Sequence, residues 1–338
     1  MKLPWLGCMT LLLVYCLSGQ DTRAQERSES CNPAISGLTD VTLALSLKVG
    51  QTVYCEGEII PLELAFASSS KNHFLSLRNY DRSGRLDEEL FCLTPEARDP
   101  LVDYFESGIY NMFLGGGLSA MPRELNAVPY KISEDLNEWK SLPPGSYTLV
   151  VVSYRVEPPT GGDARTEPQP VVSNKVKFQV IPATPEWQAT QLASALEPLD
   201  ADYQKSTLKE FEQTTGQAER VLRFLGSEAA TRELARRFWS NDQRNAAAWN
   251  FKAGLIGSPH RAAAVQELEL VVHDPKHPAT RNMLETLALL EIMSKPEYRI
   301  AAYDNNATAD WKKQWEAARQ GRAGAFRGLV AKLQKQIQ

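Results

Sequence analysis

The sequence predicts a two-part protein, a β-sandwich followed by an α-helical region. Three observations carry this reading. From Val41 onward, short runs alternate apolar and polar residues, the period of a half-buried strand. Pro182-Ala183-Thr184-Pro185 then stops that pattern, since two prolines in four residues neither continue a ladder nor sit inside a helix. Beyond Glu186 the chain turns to Ala, Leu, Glu, Gln, Lys and Arg, which are good helix formers.

The chain begins with Lys2, an apolar run from Leu3 to Leu17, and small residues at Thr22 and Ala24. This is the pattern of a removable secretory signal, so residues 1–24 are expected to be a signal peptide and the protein to be exported, to the periplasm or the extracellular space. The run is shorter than the roughly 18–20 residues that span a bilayer. The chain beyond the signal is long enough for two domains. A formal charge of −4 argues against general nucleic-acid binding, and 43% hydrophobic residues supply real cores. Of the five cysteines, Cys31, Cys55 and Cys92 come after the signal. Cys55 opens one predicted strand and Cys92 closes another, so Cys55–Cys92 is the favoured disulfide; Cys31 is free to pair with either.

In chain order, 25–37 is a loose N-terminal segment and the sandwich is expected over 38–182. Val41, Leu43, Leu45 and Leu47 face one side of a first strand. Thr52–Glu56 is a short second strand. Ile60, Leu62, Leu64 and Phe66 alternate in a third, which Pro61 should place at an edge or a bulge. Asp81–Arg85 reads as a turn; the oxygens of Asp81, Asp87, Glu88 and Glu89 do not have calcium-loop spacing. Residues 94–127 are irregular, and Gly115-Gly116-Gly117 lacks the Lys-Ser/Thr of a phosphate loop. Tyr130 and Ile132 resume a strand. The clearest strand lies in Leu142–Val156, after the turn Pro143-Pro144-Gly145, and Val171–Ile181 is the last.

Asn137-Glu138-Trp139, Pro143-Pro144-Gly145-Ser146-Tyr147 and Ser173-Asn174-Lys175-Val176-Lys177-Phe178 together resemble the immunoglobulin-like domains of exported bacterial proteins. The resemblance covers about residues 38–182. It implies a fold and carries no activity.

After a linker at 183–187, residues 188–338 are expected to be helical. Leu225-Gly226-Ser227 and Ile256-Gly257-Ser258 are 31 residues apart, with a helix near Glu228–Trp239 and another near Arg244–Leu255 between them. Paired helices at this period bury their faces by stacking. Over about 216–295 the chain resembles HEAT-type repeats; a plain helical bundle is the alternative. The last helix, from Asp310, carries seven Lys/Arg against two acidic residues, beside an apolar stripe of Phe326, Leu329, Val330, Leu333 and Ile337. A terminal cap with a solvated basic face explains it best, ahead of contact with a membrane surface.

No catalytic constellation, cofactor motif or metal motif stands out. His273 and His277 have a metal spacing only on a helix, which Pro275 and Pro278 break. Trp239, Trp249 and Phe251 read first as core; Trp249, Trp311 and Trp315 are the candidate partner-binding aromatics. The expected function is an exported non-enzymatic binding or scaffold protein with a protein or glycan partner. The alternative is a secreted hydrolase using paired carboxylates among Asp103, Asp135 and Glu138.

Overall fold

The computed structural model describes residues 37–47, 50–77, 88–105, 109, 122–157, 169–200, 208–241, 245–301 and 306–337. The expected signal at 1–24, Cys31, the Asp81–Arg85 turn, Gly115–Gly117 and most of the 157–170 excursion lie outside them. A β-rich region comes first and a helical region second.

One sheet has the order β1-β3-β7, from β1 (Val41–Leu47), β3 (Pro61–Ser68) and β7 (Tyr130–Asp135). Alternation works here as the sequence implies: Val41, Leu43, Leu45 and Leu47 are buried while Thr42, Ala44 and Ser46 are exposed. β3 is the central strand, however, and not an edge. Pro61 is tolerated as its first residue, opposite Asp135 and one step past Leu62, where the pairing with β1 ends.

The second sheet is built on β8 (Gly145–Ser153), flanked by β5 (Glu89–Thr94) on one side. On the other side lie β10 (Val171–Val172) and β11 (Val176–Ile181), and β2 (Val53–Cys55) runs parallel to β11. A small sheet joins β6 (Arg123–Glu124), β4 (Phe74–Leu75) and β9 (Val156–Glu157). The inner residues of both large sheets merge into one core, with Leu64 and Phe66 from the first and Leu149, Val151 and Phe178 from the second.

The expected last strand is split. Ser173 Oγ accepts from the Val151 N–H at 2.9 Å and interrupts the ladder. Asn174 then bridges the sheets: its Oδ1 accepts from the Leu45 N–H at 2.8 Å and its Nδ2 donates to the Leu45 carbonyl at 2.9 Å. The sandwich also buries an ion pair that no local pattern announces. Arg155 Nε meets Glu89 Oε1 at 2.6 Å with both side chains fully covered. Arg155 also donates to the Ser76 carbonyl, and Ser153 Oγ donates to Glu89. Burial raises the Glu89 pKa, while Arg155 and Ser153 pull it back.

A single turn, α1 (Val102–Phe105), lies between β5 and β6. The helical region holds α2 (Pro185–Leu199), α3 (Leu208–Phe224), α4 (Glu228–Asn241) and α5 (Asn245–Gly257). It continues with α6 (Arg261–Val272), α7 (Arg281–Ser294) and α8 (Ala309–Ile337). Thr184 caps α2, accepting from the Trp187 N–H at 3.2 Å, and Pro185 takes the first-turn position where its missing N–H costs nothing.

Helices two apart in sequence lie side by side: α3 on α5, α5 on α7 and α4 on α6. The repeated Gly-Ser turns touch through Thr231 Oγ1 and Ser258 Oγ at 2.7 Å. Ser227 Oγ accepts from the Ala230 N–H, and Ser258 Oγ from the His260 N–H. Most of the apolar stripe of α8 is used inside the protein, with Val330 and Leu333 in the helical core and Phe326 and Leu329 packed against it, while Ile337 is exposed. Among the described residues no helix is long and apolar enough to cross a membrane.

Candidate functional site

The two regions meet in a contact that combines ion pairs, an apolar cluster and a close backbone approach. The turn between β2 and β3 holds Gly57 at φ +84°, and a Cβ on it would sit 2.6 Å from the Leu225 carbonyl oxygen. Only glycine fits both the left-handed backbone and the approach to the end of α3. Beside it, Arg223 of α3 makes a bidentate contact to Glu138, at 2.6 and 2.7 Å. These side chains are 3% and 12% exposed, so the charges face each other with little water between them. Arg223 also reaches Asn250 Oδ1 at 3.3 Å, and Asn250 in turn bonds Glu219. Arg220 pairs with Asp135 at 3.2 Å. Farther along, Asp103 of α1 meets Arg98 at 2.6 Å and Arg261 of α6 at 3.3 Å. Between these polar contacts, Leu101 and Tyr104 pack with Ala253, Ile256, Leu289 and Met293 of α5 and α7.

Two clefts flank the Gly57 turn, and Gly57, Glu58 and Leu225 line both. The first, of about 480 Å³, takes in Cys55, Glu58, Lys140, Arg223, Ser227 and His260. Its cysteine is a free thiol. Burial raises the Cys55 pKa, and the Glu58 carboxylate, which accepts the Cys55 N–H at 2.7 Å, raises it further. A thiol held protonated in this way is a weak nucleophile.

The second cleft, of about 470 Å³, is lined by Glu134, Asp135, Trp187, Gln191 and Arg220 among others. Burial, with the neighbouring charges of Glu138, Asp135 and Glu89, raises the Glu134 pKa to about 8. Glu134 and Asp135 thus differ in environment, as an acid and a base should. Yet the Asp135 carboxylate is held by Arg220 at 3.2 Å, which ties it into the contact between the regions.

The structure separates the residues singled out from the sequence. Cys92 is disulfide-bonded while Cys55 is free, so the favoured Cys55–Cys92 bond is not formed. The partner of Cys92 lies outside the described residues. Trp315 is 8% exposed and its Nε1–H donates to the Ala301 carbonyl, which makes it a core residue rather than a surface anchor. Trp249 packs beside Tyr104 and Phe105 in the contact between the regions. Trp311 is half-buried in the first turn of α8. The three tryptophans therefore form no common surface. His273 and His277 lie on the turn that ends α6, His273 against the Glu269 carbonyl and His277 against Asp274. Among the described residues no group of three His, Cys, Asp or Glu is placed to hold a metal ion.

Sequence reasoning missed Glu134, Arg220 and Arg223. The alternation of β7 places Glu134 with Tyr130 and Ile132, toward the core, which was the available sign. Nothing local marks the arginines, whose partners lie 85 residues away in the case of Arg223. Neither a scan against protein-family models nor a search of the curated proteins found a match.

Proposed function

We propose that this is an exported, non-enzymatic binding or scaffold protein, in which an immunoglobulin-like sandwich and a HEAT-like helical array act together as one platform for a protein or glycan partner. The observation that carries this reading is the fate of the carboxylates. Asp103, Asp135 and Glu138, the acid/base candidates of a hydrolase, each face an arginine of the helical region. Such groups hold the two regions together and are poorly placed to exchange protons with a substrate.

Two further observations support the finer fold assignment. The Tyr147 hydroxyl donates to the Pro143 carbonyl at 2.6 Å, the kind of tyrosine corner found in immunoglobulin-like sandwiches. The side-by-side placement of alternate helices suits a solenoid better than a closed bundle. The row of α4 and α6 exposes Trp239 and Leu270, at 37% and 63%, and is the favoured partner face.

The test is crosslinking and affinity capture with the mature chain from the envelope or medium of its source, run alongside a broad hydrolase screen. The expected result is one specific partner, lost in a Trp239→Ala, Leu270→Ser variant that keeps its fold, and no turnover. Turnover that is lost in Glu134→Gln or Asp135→Asn would overturn the proposal in favour of the hydrolase.

A further inference from the structure

The second cleft has unspent hydrogen-bonding capacity on three sides. It lies between β7, the β2–β3 turn and the pair α2 and α3, which pack on each other. Trp187 and Gln191 stand one helical turn apart on α2, and Gln217 and Val221 one turn apart on α3, so each helix brings a single face to the cleft. Trp187 packs against the helical core and also lines the cleft, so its half-buried ring is held in place and still reachable.

The polar groups of the cleft fall into two sets. Asp135 is held by Arg220 at 3.2 Å, and Glu58 accepts from Gln51 Nε2 at 3.0 Å and from the Cys55 N–H at 2.7 Å. The Glu134 carboxyl, the Gln191 and Gln217 carboxamides and the Trp187 indole N–H have no hydrogen-bond partner among the described residues. Burial, with the charges of Glu138, Asp135 and Glu89, keeps Glu134 in its neutral acid form up to about pH 8, against the opposing pull of Arg155. A neutral carboxyl, like a carboxamide, offers both a donor and an acceptor. The cleft thus presents paired donors and acceptors beside an aromatic ring, while the carboxylates of Asp135 and Glu58 are already engaged.

A sugar ring matches that set. Its hydroxyls each donate and accept, as carboxamides and a neutral carboxyl do. Its C–H face suits indole, which has an apolar body and a polar N–H. A volume of about 470 Å³ falls within the range of small-molecule sites, roughly 300–1,000 Å³. An organic amine fits less well, because the carboxylates that would meet its charge are taken by Arg220, Gln51 and the Cys55 N–H. We propose that the cleft between β7, α2 and α3 is a binding site for a neutral saccharide, with Trp187 as the stacking platform and Gln191, Gln217 and Glu134 bonding its hydroxyls. The site lies apart from the Trp239 and Leu270 face proposed above and does not rest on it.

The test is isothermal titration calorimetry of the full chain at neutral pH, with maltose, cellobiose and diacetylchitobiose as probes and putrescine as the cationic control. Saturable binding of at least one disaccharide, and none of putrescine, is expected. Gln217→Ala, an exposed change that leaves the fold intact, should weaken that disaccharide about three- to tenfold through lost hydrogen bonds. Trp187→Ala should weaken it roughly tenfold or more. Because Trp187 also touches the core, Gln191→Ala is the companion variant on α2, with the same expected loss as Gln217→Ala, and circular dichroism checks each fold. The Trp239→Ala, Leu270→Ser variant should bind the sugar as wild type does, which separates failure of this site from failure of the partner face. No saturable binding of any of the disaccharides, binding of putrescine in their place, or equal affinity in wild type, Gln191→Ala and Gln217→Ala overturns the proposal.

Discussion

Replacing Arg223 by methionine tests the contact between the two regions where it is most specific. The substitution keeps much of the side-chain volume and removes the charge, leaving the Glu138 carboxylate at 12% exposure with its two best hydrogen bonds gone. Breaking a buried pair from one side typically costs about 3–5 kcal/mol. The link to Asn250 is lost as well, adding about 1 kcal/mol for a neutral hydrogen bond. Glu138→Leu alone should cost a similar amount by removing the carboxylate that faces the buried Arg223 guanidinium. The double variant should recover most of the loss and sit within about 2 kcal/mol of wild type, because neither charge is then stranded. Urea denaturation followed by tryptophan fluorescence and by far-UV circular dichroism gives all four corners of the cycle. If Arg223→Met costs less than about 1 kcal/mol, or if the double variant is as unstable as the sum of the singles, the pair does not join the regions as described.

The same geometry carries other expected outcomes. Glu134 keeps its proton in the fold up to about pH 8 and loses it near pH 4.5 when unfolded, so stability falls as pH rises through that window and levels off above it. Allowing for its partial exposure, Glu134→Gln should stabilise the protein by roughly 3 kcal/mol at pH 8 and by nothing at pH 4, checked by denaturation at both values. Gly57→Ala places a side chain at positive φ against the Leu225 backbone and should cost more than about 2 kcal/mol, seen as a lower melting temperature. Val151 is wholly buried, and Val151→Asp should cost upwards of about 4 kcal/mol and unfold the sandwich by circular dichroism; an unchanged melting temperature would refute its placement.

The sequence shows well whatever depends on near neighbours. β1 and β3 are legible because one buried face imposes a period of two, and α4 and α5 lie close to their expected bounds because the Ala, Leu, Glu and Arg that dominate α4 and the Ala run that opens α5 favour helix. Pro61 misled because a missing donor matters only where a neighbour needs it, and β1 ends one residue short of it. Glu89 illustrates the opposite failure. Read locally it is one acid among several near a turn, yet Arg155, 66 residues on, makes it the centre of a buried pair. The Arg223–Glu138 contact fails for the same reason, since it joins segments whose distance in sequence is unrelated to their distance in space. Carboxylates chosen as catalytic candidates proved to be contacts between the regions, which composition and spacing have no means of separating.

Differential scanning calorimetry of the full chain tests the central claim that the β-rich and helical regions form one cooperative body. The contact through Gly57, Arg223 and the Leu101–Tyr104 cluster predicts a single transition with matching calorimetric and van't Hoff enthalpies in wild type, separating into two when Arg223→Met and Gly57→Ala are combined. Two independent transitions in wild type, unmoved by either substitution, would contradict it.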